Sequence, residues 1–94
     1  MRRTDALVAW DDEDDLSGNL HHVREHGLSP DEVESVLLAD DAVERTSRSS
    51  GRPLVAGFTF TGRWIVVVYE VVAADPVILR PVTAYEPDPK DHAS

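Results

Sequence analysis

The sequence predicts an α+β domain in which an N-terminal strand and two helices precede an antiparallel sheet of about four strands, with both helices on one sheet face. Three observations predict it. Ser29-Pro30-Asp31-Glu32 has the composition of a capped helix start, the hydrophobic period changes from helical to alternating at Ala42, and turn residues at Thr61-Gly62 and Ala74-Asp75-Pro76 divide the rest into strand-length runs.

Ala6 to Trp10 is a short apolar run and reads as the first strand. The acidic cluster Asp11 to Asp15 then suits the positive end of a helix dipole, which predicts a first helix over 12–26 with Leu16, Leu20 and Val23 at helical spacing and Gly27 as its stop. In the second helix Ser29 is the cap, Pro30 fills the first turn and Glu32 completes a capping box. Val33, Val36, Leu37 and Leu38 form its apolar face as far as Asp40. Ala42 to Thr46 alternates as a strand, and Ser47 to Gly51 makes a turn. Pro53 to Phe60, Arg63 to Val72 and Val77 to Tyr85 supply three more strands, with Arg63 to Val72 apolar on both faces. Pro81 removes a donor from the last strand and calls for an edge position or a bulge there. Residues 1–86 therefore form one domain, and 87–94, with two prolines and several charges, read as a flexible acidic tail.

At 94 residues the chain has room for one core and no deep cleft, and without cysteine it has neither a disulfide nor a thiolate metal site. No apolar stretch has the length of a signal peptide or a membrane span, so a cytoplasmic protein without a membrane partner is expected. The net charge of −9 opposes nucleic acid at long range, but it is unevenly spread. Residues 1–44 hold 13 acids and 3 bases, residues 45–80 hold 2 and 5, and residues 81–94 hold 3 and 1, so the strand segment is locally basic. Arg45, Arg48 and Arg80 are candidates there for contact with RNA phosphates, or else outward residues that discourage edge pairing.

Several residues in order resemble the BrnT family of toxins: Trp10-Asp11, Asn19, His26-Gly27-Leu28-Ser29, Glu32-Val33, Arg52, Gly57, and Gly62-Arg63 leading into Ile65 to Tyr69. The resemblance spans residues 8 to 86. It implies a RelE-like fold and a toxin of a type II toxin–antitoxin pair that cuts RNA without metal or cofactor. Its partners would be RNA or the ribosome and a cognate antitoxin protein. Such chemistry needs a group to activate the ribose 2′-hydroxyl, a cation on the phosphate and an acid for the leaving oxygen. Carried over by position, the resemblance implies His26, Arg52 and Arg63 as catalytic residues. Tyr85, which stands where the family commonly begins a basic segment, is a fourth candidate as acid or base.

Glu25 also replaces the Lys that commonly precedes the family's His-Gly pair, and the tail is acidic. These departures sustain a second reading, a catalytically degenerate module that keeps the fold to bind a protein partner. A third reading is a small zinc metallopeptidase-like protein, because His22-Val23-Arg24-Glu25-His26 spells H-x-x-E-H with two imidazoles one helical turn apart. The same histidines also suit a solvated helix face. The Asp11 to Asp15 cluster lacks the alternating spacing of a calcium loop. Trp10 and Trp64 read as core or edge anchors in preference to base-stacking platforms.

Overall fold

The structure, a computed structural model, describes residues 3–87; the expected tail lies almost wholly outside the described residues. Its elements run β1 (Leu7–Val8), α1 (Asn19–Glu25), α2 (Pro30–Leu37), β2 (Val43–Thr46), β3 (Pro53–Phe58), β4 (Trp64–Ala74) and β5 (Val77–Tyr85), after a 3-10 turn at Arg3–Asp5. The fold is α+β, with one five-stranded mixed sheet in the order β1-β5-β4-β3-β2. The four strands that follow the helices pair antiparallel as expected. The N-terminal strand is shorter than its apolar run, and it extends the same sheet by pairing parallel with β5, Leu7 beside Ile78 and Val8 beside Leu79.

The first helix is the largest departure from expectation. Residues 12–17 are not helical, with turns at 13–14 and 16–17, and Leu16, expected on a buried face, is 78% exposed. The aspartates are the physical cause. Asp12 Oδ1 accepts from the Asp14 N–H at 3.2 Å and Asp15 Oδ1 from the Ser17 N–H at 3.1 Å, and such local bonds compete with a helix. Helix α1 begins only at Asn19, whose N–H donates to Asp11 Oδ2 at 2.8 Å, so that carboxylate satisfies one of the free amides of the first turn. Gly27, at φ +77°, ends the helix in the left-handed conformation open to glycine.

Helix α2 starts as its sequence dictates. Ser29 Oγ accepts from the Glu32 N–H at 3.1 Å while Glu32 Oε1 accepts from the Ser29 N–H at 3.2 Å, a complete capping box. Its C-terminal carbonyls are met from a distance: buried Arg3 donates through Nη1 to the carbonyls of Leu37 and Ala39 and through Nε to Glu44. Val33, Val36 and Leu37 join Val23 and Leu28 in packing on Val55, Ile65, Val67, Tyr69, Leu79 and Ala84, which form the helix side of the sheet. A Cβ on Gly57 would make only ordinary contact there, 3.5 Å from Val36 Cγ1.

The turn between β3 and β4 is wider than the two-residue hairpin expected at Thr61-Gly62. Phe58 and Trp64 are the last pair, the Thr59 N–H donates to the Arg63 carbonyl, and Gly62 at φ +85° closes the turn. Pro81 lies inside the sheet and beside a register shift, since Tyr69 pairs with Pro81 but Val68 with Thr83. Both positions expected for this proline are met, the bulge beside β4 and a local edge on the other side, where no strand pairs with Pro81. Strand β1 stops opposite Leu79, and beyond it the side chain of Asn19 takes the place of a neighbouring strand, donating to the Pro81 carbonyl at 2.8 Å.

Candidate functional site

Strand pairing sorts the candidate residues onto two ends of the sheet. At one end are the C-terminus of α1, the N-terminus of α2, the start of β4 and the end of β5, and three candidates converge there from distant positions in the chain. The rings of His26 and Tyr85 are 6.5 Å apart between centroids. Arg63 reaches the same corner by donating through Nη1 to the carbonyl of Gly27 at 2.8 Å, next to His26.

Arg63 is held on both edges of its guanidinium. Nη1 also meets the Glu32 carboxylate, 3.3 Å from Oε2, while Nε and Nη2 both donate to Glu86 Oε1, the former at 2.7 Å. The hydrogen bond from Arg63 to Glu86 is the first cause that keeps Arg63 a firmer cation than usual, ahead of the fields of Glu86 and Glu32. Glu32 itself is buried and ionises more readily than an ordinary glutamate. The foremost cause is the Thr61 hydroxyl, which donates to Oε2 at 2.7 Å, helped by Ser29 and the charge of Arg63 against the opposing effect of burial. The capping box that starts α2 is therefore also the anchor of Arg63. Sequence reasoning recognised Glu32 as a cap but missed this second task, as well as Glu86 as a partner of Arg63.

Arg52 lies at the opposite end. It faces Glu70 at 3.9 Å, and Glu70 stands seven residues along β4 from Arg63, roughly 20 Å at the usual strand rise. One phosphate cannot contact Arg52 and Arg63 together. Arg80 approaches the same Glu70 at 3.6 Å and pairs more closely with Asp11 at 2.7 Å. Asp11 is thereby held readily ionised, first by the Asn19 backbone amide and then by Arg80. Arg45 is exposed on β2 and Arg48 in the turn after it, and among the described residues no ion pair engages either.

The sheet face away from the helices is the third feature. Cross-strand pairs share a face, so Val43, Ala56, Val66 and Tyr85 form one row, and Arg45, Leu54, Val68 and Thr83 another. Phe58 and Trp64 add a T-shaped aromatic pair with centroids 4.9 Å apart, and Phe58 is 67% exposed. Among the described residues no helix covers these rows, whose side chains are largely apolar and mostly half-buried, with Val68 buried.

His22 and His26 stack edge to face at 5.2 Å, as the H-x-x-E-H spacing anticipates. Among the described residues no group of three His, Cys, Asp or Glu side chains is placed to hold a metal ion. Nor is any described helix long and apolar enough to cross a membrane. Trp10 packs against the core and donates through Nε1 to Glu34 at 3.1 Å. The chain matches no family model, no curated protein and no solved structure.

Proposed function

We propose that this α+β arrangement is a RelE-like toxin fold and that the chain is a BrnT-like toxin of a type II toxin–antitoxin pair, acting as a metal-independent endoribonuclease. The observation that carries the reading is the convergence of His26, Arg63 and Tyr85 from three separate elements. Cleavage would form a bond from the ribose 2′-oxygen to phosphorus as the bond from phosphorus to the 5′-oxygen breaks. His26 and Tyr85 are the groups that would take the 2′-hydroxyl proton and return one to the leaving oxygen, and Arg63 is the cation for the phosphate. Arg45 and Arg48, which have no acidic partner among the described residues, are the remaining contacts for the RNA backbone.

Translation of a defined message by ribosomes in the presence of the purified protein tests this reading. The expected result is shortened message and reduced product, with H26A and Y85F each slowing cleavage about a hundredfold or more. Intact message at high protein concentration would refute it.

A second reading, a non-catalytic module that binds a protein partner, is supported by the apolar sheet face that no helix covers among the described residues. Contiguous apolar surface of this kind marks interaction sites on small soluble domains. Co-expression with the products of adjacent reading frames tests it. A stable complex in which the amides of β2 and β3 become protected from hydrogen exchange is expected, whereas recovery of the chain alone from its own host would count against it.

A further inference from the structure

We propose that the Nε and Nη2 edge of Arg63 is an oxyanion subsite which the free protein keeps filled with its own Glu86, and that a phosphate group enters by displacing that carboxylate. The ligand source and its use in cleavage rest on the ribonuclease reading; the subsite itself does not.

The two edges of Arg63 are held in different ways. The inner edge is fixed by the Gly27 carbonyl and by Glu32, which is buried and bound in turn by Ser29 and Thr61. The outer edge donates two converging hydrogen bonds to a single oxygen of Glu86, whose side chain is 49% exposed and lies one residue beyond β5. A planar guanidinium edge of this kind binds carboxylate and phosphate alike. Because the inner contacts do not depend on Glu86, its departure leaves the fork aimed and ready.

Charge favours exchange over simple addition. Arg63 already faces two carboxylates, so a third anion would be repelled, whereas replacing Glu86 by a phosphate restores the local arrangement of charge. Glu32 is not the group that leaves, since the Thr61 hydroxyl and the capping amide hold it ionised and in place. The half-exposed pair with Glu86 is of the kind that solvent screens and that contributes little to stability. His26 precedes Gly27 and Tyr85 precedes Glu86 in the chain, so both candidate residues adjoin the groups that hold Arg63.

The test follows the backbone amide resonances of Gly27, Gly62 and Glu86 in the full chain, and the Arg63 Nε–H resonance wherever the arginine is kept, by nuclear magnetic resonance during titration with inorganic phosphate and, separately, with a short single-stranded oligoribonucleotide. Wild type, E86Q, E86A and E86Q/R63K are compared, with backbone spectra verifying the fold of each. Phosphate is expected to bind E86Q and E86A about three to five times more tightly than wild type. The gain should vanish in E86Q/R63K, which keeps the charge and loses the fork. Unchanged phosphate affinity in both Glu86 variants, or a gain that survives R63K, overturns the subsite. If phosphate tightens while the oligoribonucleotide neither binds nor is cut, the subsite stands and the ribonuclease reading falls. If wild type cuts RNA and both Glu86 variants match it in binding and rate, the reading stands and the subsite falls.

Discussion

Replacing Asn19 should be among the most damaging single changes in this protein, although its side chain is small and polar. Its Nδ2 donates to the carbonyls of Pro81 at 2.8 Å and Ala9 at 3.1 Å, and its Oδ1 accepts from the Asp11 N–H at 2.8 Å. Asn19 thereby ties β1, the acidic loop and the outer edge of β5 together beyond the point where β1 ends. In N19A, the buried Pro81 carbonyl loses this donor, at about 2 kcal/mol, and the two partly solvated bonds contribute about 1 kcal/mol each. The sum of roughly 4 kcal/mol is a large share of the 5 to 15 kcal/mol that holds a typical domain folded. With a urea dependence of roughly 1.5 kcal/mol per molar, the midpoint should fall by about 2 to 3 M. N19D is the sharper test because it keeps the shape of the side chain but sets a carboxylate against two carbonyl oxygens. It should be at least as unstable as N19A. An N19D protein within about 0.5 kcal/mol of wild type would show that volume, and not hydrogen bonding, is what position 19 supplies.

Acid should unfold the protein partly through Asp11 and Glu32. Both are lowered in the folded state, Asp11 chiefly by the Asn19 amide and Glu32 chiefly by Thr61, from unfolded values of about 3.9 and 4.3. The sign follows: their stabilisation is full above about pH 5 and is lost as pH falls through the lowered folded values. A D11N/E32Q double variant should therefore be less stable than wild type at pH 7, with the difference narrowing below about pH 4 in urea titrations; a constant difference would contradict the assignment. At Gly27 a Cβ would meet only an ordinary contact, Arg63 Nη2 at 3.8 Å, so the φ of +77° should dominate the effect of substitution. G27A should lose about 1 kcal/mol, and G27N less, read as a fall in Tm of about 4 to 8 °C for G27A. An unchanged Tm for G27A would count against that backbone conformation.

The elements whose signals are local are legible in the amino-acid sequence. Ser29, Pro30 and Glu32 announce α2, and the alternation in β3, β4 and β5 announces the antiparallel run, because capping and pleating depend on neighbours a few residues away. The false extension of α1 into residues 12–17 comes from weighing the aspartates as dipole partners. Their bonds to nearby amides are equally local, and they prevail. The parallel pairing of β1 with β5 is not legible, since a two-residue strand carries no mark of a partner some seventy residues away.

For the candidate site, sequence alone determined the residue types: a histidine before a glycine, several arginines in a locally basic segment, and a tyrosine at the end of the last strand. Only the tertiary structure decided that His26, Arg63 and Tyr85 share a corner while Arg52 stands with Glu70 at the far end. It alone decided that Glu32 and Glu86 occupy both edges of Arg63, and that Asn19 completes the sheet edge. The physical reason is range. Capping and periodicity act over one or two turns of chain, whereas ion pairs and the closure of a sheet join residues by their distance in space, which sheet register and helix packing fix.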